Sequence, residues 1–194
     1  MGKLQIIKSY YSDLMDGIKH FVETGTGQGH SLKFMHEFTK GELDSYSTVE
    51  IWPSLFEEAV SKFPWANCYS GHSPEAMKLI LEKIPVDEPI IFWLDAHFPG
   101  ADYGLKPRQQ EATDEVWPLE SELQVIASFR PKGQDIILID DHRMIEDIQP
   151  NMKKHCPNWE FPGMGFVEKQ FGSSHDFQIC PLNESYLILT PKKG

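Results

Sequence analysis

"FVETGTGQGHS", residues 21–31, is the stretch on which the reading of this chain turns. An apolar pair runs into an acid, Glu23. Gly25, Gly27 and Gly29 then occupy every second position, and polar residues able to open a helix follow. Such spacing is too sparse for a flexible linker and too regular for an ordinary turn. Glycine lacks a Cβ and tolerates positive φ, so it belongs where something comes very close to the backbone. A tight turn without any ligand is the competing reading of this stretch taken alone.

Outward from the glycines, strand-like and helix-like segments alternate. "HFVET" (20–24) reads as a short buried strand and 31–39 as a helix with Leu32 and Met35 on one face. Residues 46–51 read as a strand. Helical spacing and an opening proline then mark 53–63. "ANCYSG" is a weak strand, and "SPEAMKLILEKI" (73–84) is a helix with Ser73 as its cap and Pro74 in its first turn. "PIIFWLDAH" (89–97) is the most apolar run and ends on an acid and a histidine. The segment 119–129 is helical, and "DIILIDDH" (135–142) is a second buried strand ending on acids. The tail segments "EKQFG", "HDFQIC" and "ESYLILTP" read as late strands closing in a hairpin. Buried strands separated by amphipathic helices imply an α/β fold, a mostly parallel sheet covered on both faces. Ligands in such folds lie beyond the carboxyl ends of the strands. Attention therefore falls on Glu23 and the glycines, Glu50, Gly71 to Ser73, Asp95 to His97, and Asp140 to His142.

The 194 residues suit one domain spanning 1–194. One stretch breaks the alternation: 98–118, rich in Pro and Gly and without an apolar period, reads as a lid or insertion next to Asp95 and His97. A net charge of −11 repels phosphate backbones and anionic membrane surfaces, so neither nucleic acid nor membrane is expected as a partner. No run approaches the length of a membrane span, and the first residues lack the apolar core of a signal peptide. Cys68, Cys156 and Cys180 are widely spaced and form no CxxC, as expected of reduced thiols. A cytoplasmic protein is expected, with its oligomeric state open and a homodimer among the options.

The glycine pattern fails the dinucleotide fingerprint in both registers, because the third glycine would fall on His30 or Leu32. It also lacks the lysine of a phosphate-binding loop. What remains is acid-x-Gly-x-Gly-x-Gly, and "TVEIW" then places a second acid, Glu50, at the end of the next strand. These two features together resemble the class I S-adenosylmethionine-dependent methyltransferases. The resemblance implies a Rossmann-like, doubly wound, seven-stranded sheet with an antiparallel C-terminal hairpin. It further implies a cofactor cradle of Glu23, Gly25, Thr26, Gly27 and Gly29, with the ribose on Glu50 and the adenine flanked by Ile51 and Trp52. "SGHSPEAM" resembles the small polar segment that contacts adenine in the catechol-type O-methyltransferases, which brings in His72 and Ser73. Asp95 is counted with the cofactor contacts as well.

Ionised carboxylates gathered at one sheet edge repel unless a cation or proton lies between them. Asp95, Asp140 and Asp141 offer oxygen ligands suited to magnesium or another divalent cation. The pattern resembles the metal-dependent catechol-type enzymes, with one departure: Phe98 stands where their lysine base is expected. His97, and His142 behind it, become the candidate bases beside Asp95. The expected activity is O-methylation of a small hydroxylated molecule. Two alternatives stay open. One is a metal-dependent hydrolase using Asp95, His97, Asp140 and His142, and the other is a non-catalytic module that binds S-adenosylmethionine.

Overall fold

A computed structural model of the chain describes residues 4, 12–97, 117–142, 145, 163–180 and 186–193. A 3-10 turn (Ser12–Met15) leads into β1 (His20–Thr24), α1 (His30–Phe38), β2 (Ser45–Glu50), α2 (Pro53–Lys62), β3 (Asn67–Ser70) and α3 (Ser73–Leu81). Then follow β4 (Ile90–Leu94), α4 (Leu119–Phe129), β5 (Ile136–Ile139), α5 (Gly165–Phe171), β6 (His175–Ile179) and β7 (Leu187–Pro191). The strands make one seven-stranded sheet in the order β3-β2-β1-β4-β5-β7-β6. All pairs from β3 to β5 are parallel. The last two strands are antiparallel, with β7 entering between β5 and β6. This is the expected doubly wound sheet with its C-terminal hairpin.

Side chains alternate across the central strands, and both faces are covered. Val22, Phe92, Leu94, Ile137 and Ile139 pack with Met77 and Ile80 of α3, Leu123 and Ile126 of α4, and Val167 of α5. On the other face Phe21, Ile91, Trp93 and Leu138 meet Leu32 and Met35 of α1 and Ala59 of α2. Burial on two sides explains why "IIFWL" and "IILI" are apolar throughout instead of alternating.

Two local expectations change. "EKQFG" lies within helix α5 and not in a strand. Its Val167 and Phe171, four residues apart, are both buried, which is a helical interval. Ser73 does not cap α3. His72 holds the N-cap position, and the Ser73 hydroxyl donates instead to the buried Glu122 of α4. Of the expected lid at 98–118, residues 98–116 lie outside the described residues.

The amino ends of the strands are held by an ion pair that the sequence did not announce. Arg130 and Asp135 expose only 2% of their side chains each. The guanidinium donates from Nε and Nη2 to the two carboxylate oxygens, each at 2.9 Å. It also donates to the carbonyls of Pro85 and Glu88, while Asp135 accepts the amide of Ile90 at 2.9 Å. The pair thus ties the end of α4 to the starts of β4 and β5. Removing one member strands a buried charge. Arg130→Ala should lower unfolding stability in urea by about 3–5 kcal/mol, and Arg130→Met combined with Asp135→Leu should recover a large part of it.

Candidate active site

The parallel ladder runs one residue beyond each central strand. Asp95 donates its amide to Thr24 at 3.2 Å, Asp140 to Leu94 at 2.9 Å, and Gly25 to Val49 at 3.0 Å. Gly25, Asp95 and Asp140 therefore stand side by side at the carboxyl edge, where the strand order reverses between β1 and β4. That reversal is where open α/β sheets bind ligands.

All three glycines of the opening stretch have positive φ, 77° at Gly25, 51° at Gly27 and 74° at Gly29. The close approach at two of them comes from the protein itself. A Cβ on Gly25 would lie 2.5 Å from the carbonyl oxygen of Asp95, and one on Gly29 would lie 2.2 Å from the ring of Phe63. Gly71 after β3 differs, since among the described residues a Cβ there meets nothing within 4 Å.

Glu23 faces inward. It is 1% exposed, accepts the Thr48 hydroxyl at 2.8 Å, and accepts the backbone N–H of Leu32 in the first turn of α1. The carboxyl thus does for α1 what an N-cap side chain would do, because the N-cap residue is Gly29. Thr26 joins the same buried group through Thr48 at 2.5 Å. Burial pushes the Glu23 carboxyl up to about 8, with the nearby Glu50 adding to the rise and the Thr48 hydrogen bond opposing it.

Glu50, 7% exposed, closes the end of β2. Its carboxylate accepts the amides of Gly27 and Trp52, each at 2.8 Å. Burial raises its pKa and these amides oppose the rise. The carboxylate is thereby fixed between the glycine turn and the half-buried Ile51 and Trp52. His72 is half-buried and pairs with Glu75 at 2.5 Å.

The acids after β4 and β5 do come together. Nε2 of His97 lies 3.9 Å from Oδ1 of Asp95 and 3.8 Å from Oδ2 of Asp141. Asp140 stands behind them, 4% exposed, and accepts the amide of Asp141 at 2.7 Å. Asp141 holds a left-handed backbone, φ 54°, and its carboxylate faces His97. Asp95 is raised well above the usual carboxylate range, first by burial and then by the Asp140 carboxylate, with His97 opposing. Asp95, His97 and Asp141 form one of two groups among the described residues whose ligand atoms could share a metal ion. Two carboxylates and an imidazole suit a divalent cation, and the mutual repulsion of the acids favours one. His142 is buried at 5% exposure, behind this group.

Tyr186 was missed by sequence reasoning. It is 1% exposed and packs on Trp93 with ring centroids 5.5 Å apart. Burial, then Asp140, Asp95 and Asp141, push its phenol strongly upward, so it stays protonated beside the acids. The signal was its position. Because β7 runs antiparallel with Leu187 opposite Ile139, the residue before Leu187 falls beside Asp140.

No protein-family profile and no curated protein sequence matches the chain. Solved structures do. A methyltransferase of Podospora anserina with bound S-adenosylhomocysteine aligns with a TM-score of 0.62 at 14% identity, over 100% of this chain and 80% of that one. A Staphylococcus aureus protein assigned as a caffeoyl-CoA O-methyltransferase gives 0.63 at 12%, over 99% and 85%. An O-methyltransferase of Bacillus cereus in complex with S-adenosylhomocysteine gives 0.54 at 12%, over 99% and 82%. The likeness is one of fold. Among the described residues no helix is long and apolar enough to cross a membrane.

The buried Glu23 sets a pH dependence. Its folded value of about 8 lies above the ordinary 4.5, so its contribution to stability is complete below pH 4.5 and is lost as pH rises toward 8. Glu23→Gln keeps an acceptor oxygen and the side-chain volume without the charge. The variant should gain stability over the parent between pH 5 and 9, by up to about 1.4 kcal/mol per pH unit, in thermal unfolding at several pH values.

Proposed function

We propose, from the premise that the chain carries the fold of the class I S-adenosylmethionine-dependent methyltransferases, that it moves a methyl group to the hydroxyl of a small molecule. The observation that carries this reading is the fixed Glu50 carboxylate. Backbone amides of the glycine turn and of Trp52 clamp it at the end of β2. The carboxylate keeps lone-pair capacity for a ribose hydroxyl beyond these amides. Ile51 and Trp52 then flank the adenine, and the loop Gly71–His72, where no atom of the described residues crowds Gly71, edges the same cleft.

The cofactor, when bound, supplies an electrophilic methyl group on a sulfonium. The chain's own part is to orient the acceptor oxygen toward that methyl and to remove its proton, with little covalent involvement. Asp95 Oδ1, His97 Nε2 and Asp141 Oδ2 surround one position at the acceptor end of the cleft. They would hold a divalent cation there, which favours the ionised form of a hydroxyl. Asp140 supports the set from behind, through the Asp141 amide. Tyr186 gives this corner a protonated, packed floor. The acceptor is a small neutral or cationic hydroxylated compound, in keeping with a chain of net charge −11.

Calorimetry with S-adenosylhomocysteine should show binding, and Glu50→Ala should weaken it by about 1.5–3 kcal/mol through loss of charged hydrogen bonds. Unchanged affinity would place the ribose elsewhere. For the second half of the reading, methyl transfer to hydroxylated acceptors should stop in excess EDTA and return with a divalent transition-metal ion such as manganese or zinc, while cofactor affinity stays the same. Full activity in EDTA would remove the cation and leave His97 to take the proton at Nε2.

A further inference from the structure

A second group of potential ligands lies at the opposite edge of the sheet, among the amino ends of the strands. It consists of His20 at the start of β1, Asp44 just before β2 and Glu88 just before β4. Their ligand atoms lie within 4.8 Å of one another. We propose that these three residues bind a first-row transition-metal ion such as zinc, at a site separate from the acids of the cleft.

The geometry is prepared by the backbone. Asp44 donates its amide to Lys19 at 2.8 Å, and Lys19 and His20 donate theirs to Pro89 at 2.9 and 3.3 Å. The three ligand-bearing segments are thus tied to one another directly. Glu88 is held from a further side, because its carbonyl accepts Nη2 of the buried Arg130 at 2.6 Å. Cross-strand pairing of His20 with Ser45 brings the Ser45 hydroxyl to 2.8 Å from Nδ1 of His20. A metal-ligating histidine usually has its other ring nitrogen held in this way, which fixes the ring and its tautomer. Without the ion, Nε2–H donates to Glu88; with the ion bound, that proton leaves, Nδ1–H donates to Ser45 and the Nε2 lone pair faces the metal.

Distances and access agree with this. Nε2 of His20 is 2.9 Å from Oε2 of Glu88. Two ligands on a tetrahedral zinc at about 2.0 Å each stand about 3.3 Å apart, so the pair opens by only a few tenths of an ångström. The His20 side chain is 7% exposed, whereas those of Glu88 and Asp44 are 37% and 52% exposed and free to adjust. The position facing solvent remains for water as a fourth ligand. Among the described residues, the competitor on Asp44 is Lys19, whose Nζ lies 3.5 Å from Oδ2. That contact is half-exposed and weak, so an ion displaces it at small cost. One imidazole and two carboxylates favour zinc, cobalt or nickel over magnesium, which prefers oxygen alone. The ion would join the starts of β1, β2 and β4 and act as a structural clamp.

The test is a titration of the metal-free full chain with zinc chloride, in an Asp95→Ala, Asp141→Ala background that removes the cleft site. One binding event should remain, and the melting temperature should rise with it. Glu88→Gln and Asp44→Asn, both near-isosteric and on exposed side chains, should each weaken the event at least tenfold. Lys19→Ala should strengthen it. Absence of any binding in the background protein would overturn the proposal. So would an affinity that the Glu88 and Asp44 substitutions leave unchanged.

Discussion

At the centre of the sheet, Gly25 rests against the carbonyl of Asp95. A Cβ would lie 2.5 Å from that oxygen, and backbone cannot rotate aside as a side chain can. The contact lets the turn after β1 fold down on the end of β4, where the strand order reverses. Everything functional at this edge follows from that closeness. Gly27 can reach Glu50, α1 can start where its first-turn amide meets Glu23, and Asp95 comes level with Asp140. The glycines are thus first a packing requirement of the protein. The cleft is what their packing leaves.

The site gathers carboxyl groups that a folded protein ordinarily keeps apart. Glu23 is kept uncharged by burial, although the Thr48 hydroxyl and a helix amide favour its charge. Glu50 stays at the surface of the cleft because three backbone amides offset its burial. Asp95, Asp140 and Asp141 are left in mutual repulsion, relieved only in part by His97. The same chemical group therefore serves as a neutral capping residue, a clamped acceptor and an unneutralised cluster, according to how many donors surround it.

Much of this was legible in the sequence. Strands β4 and β5 are continuous apolar runs leading into polar residues, which is how a parallel strand buried on both faces shows itself. Helix α4 was readable to the residue because its apolar spacing is uninterrupted. What escaped depends on contacts between distant segments. "EKQFG" is too short for period to separate helix from strand, and only packing against the sheet decides it. Ser73 has the chemistry of a cap, but Glu122, 49 positions away in sequence, claims its hydroxyl. The spacing of Arg130 and Asp135 looks like an ordinary charged turn until the start of β4 covers it. Glu23 and Gly25 were singled out correctly as unusual, yet which atoms crowd them could not be read without the fold.

β7 follows β6 in the chain, yet it is not the outer strand of the sheet. β7 lies between β5 and β6, pairing on both sides, and its Leu187, Ile188 and Leu189 are fully covered. Until those residues emerge, the outer edge of β5, with Ile137, Leu138 and Ile139, has no partner. A nascent chain would carry an open apolar strand edge for the whole time that the intervening residues are being made, which is the kind of surface that pairs with other chains. Handling during synthesis, by slow emergence or by a chaperone that covers that edge, is therefore a demand written into the strand order itself.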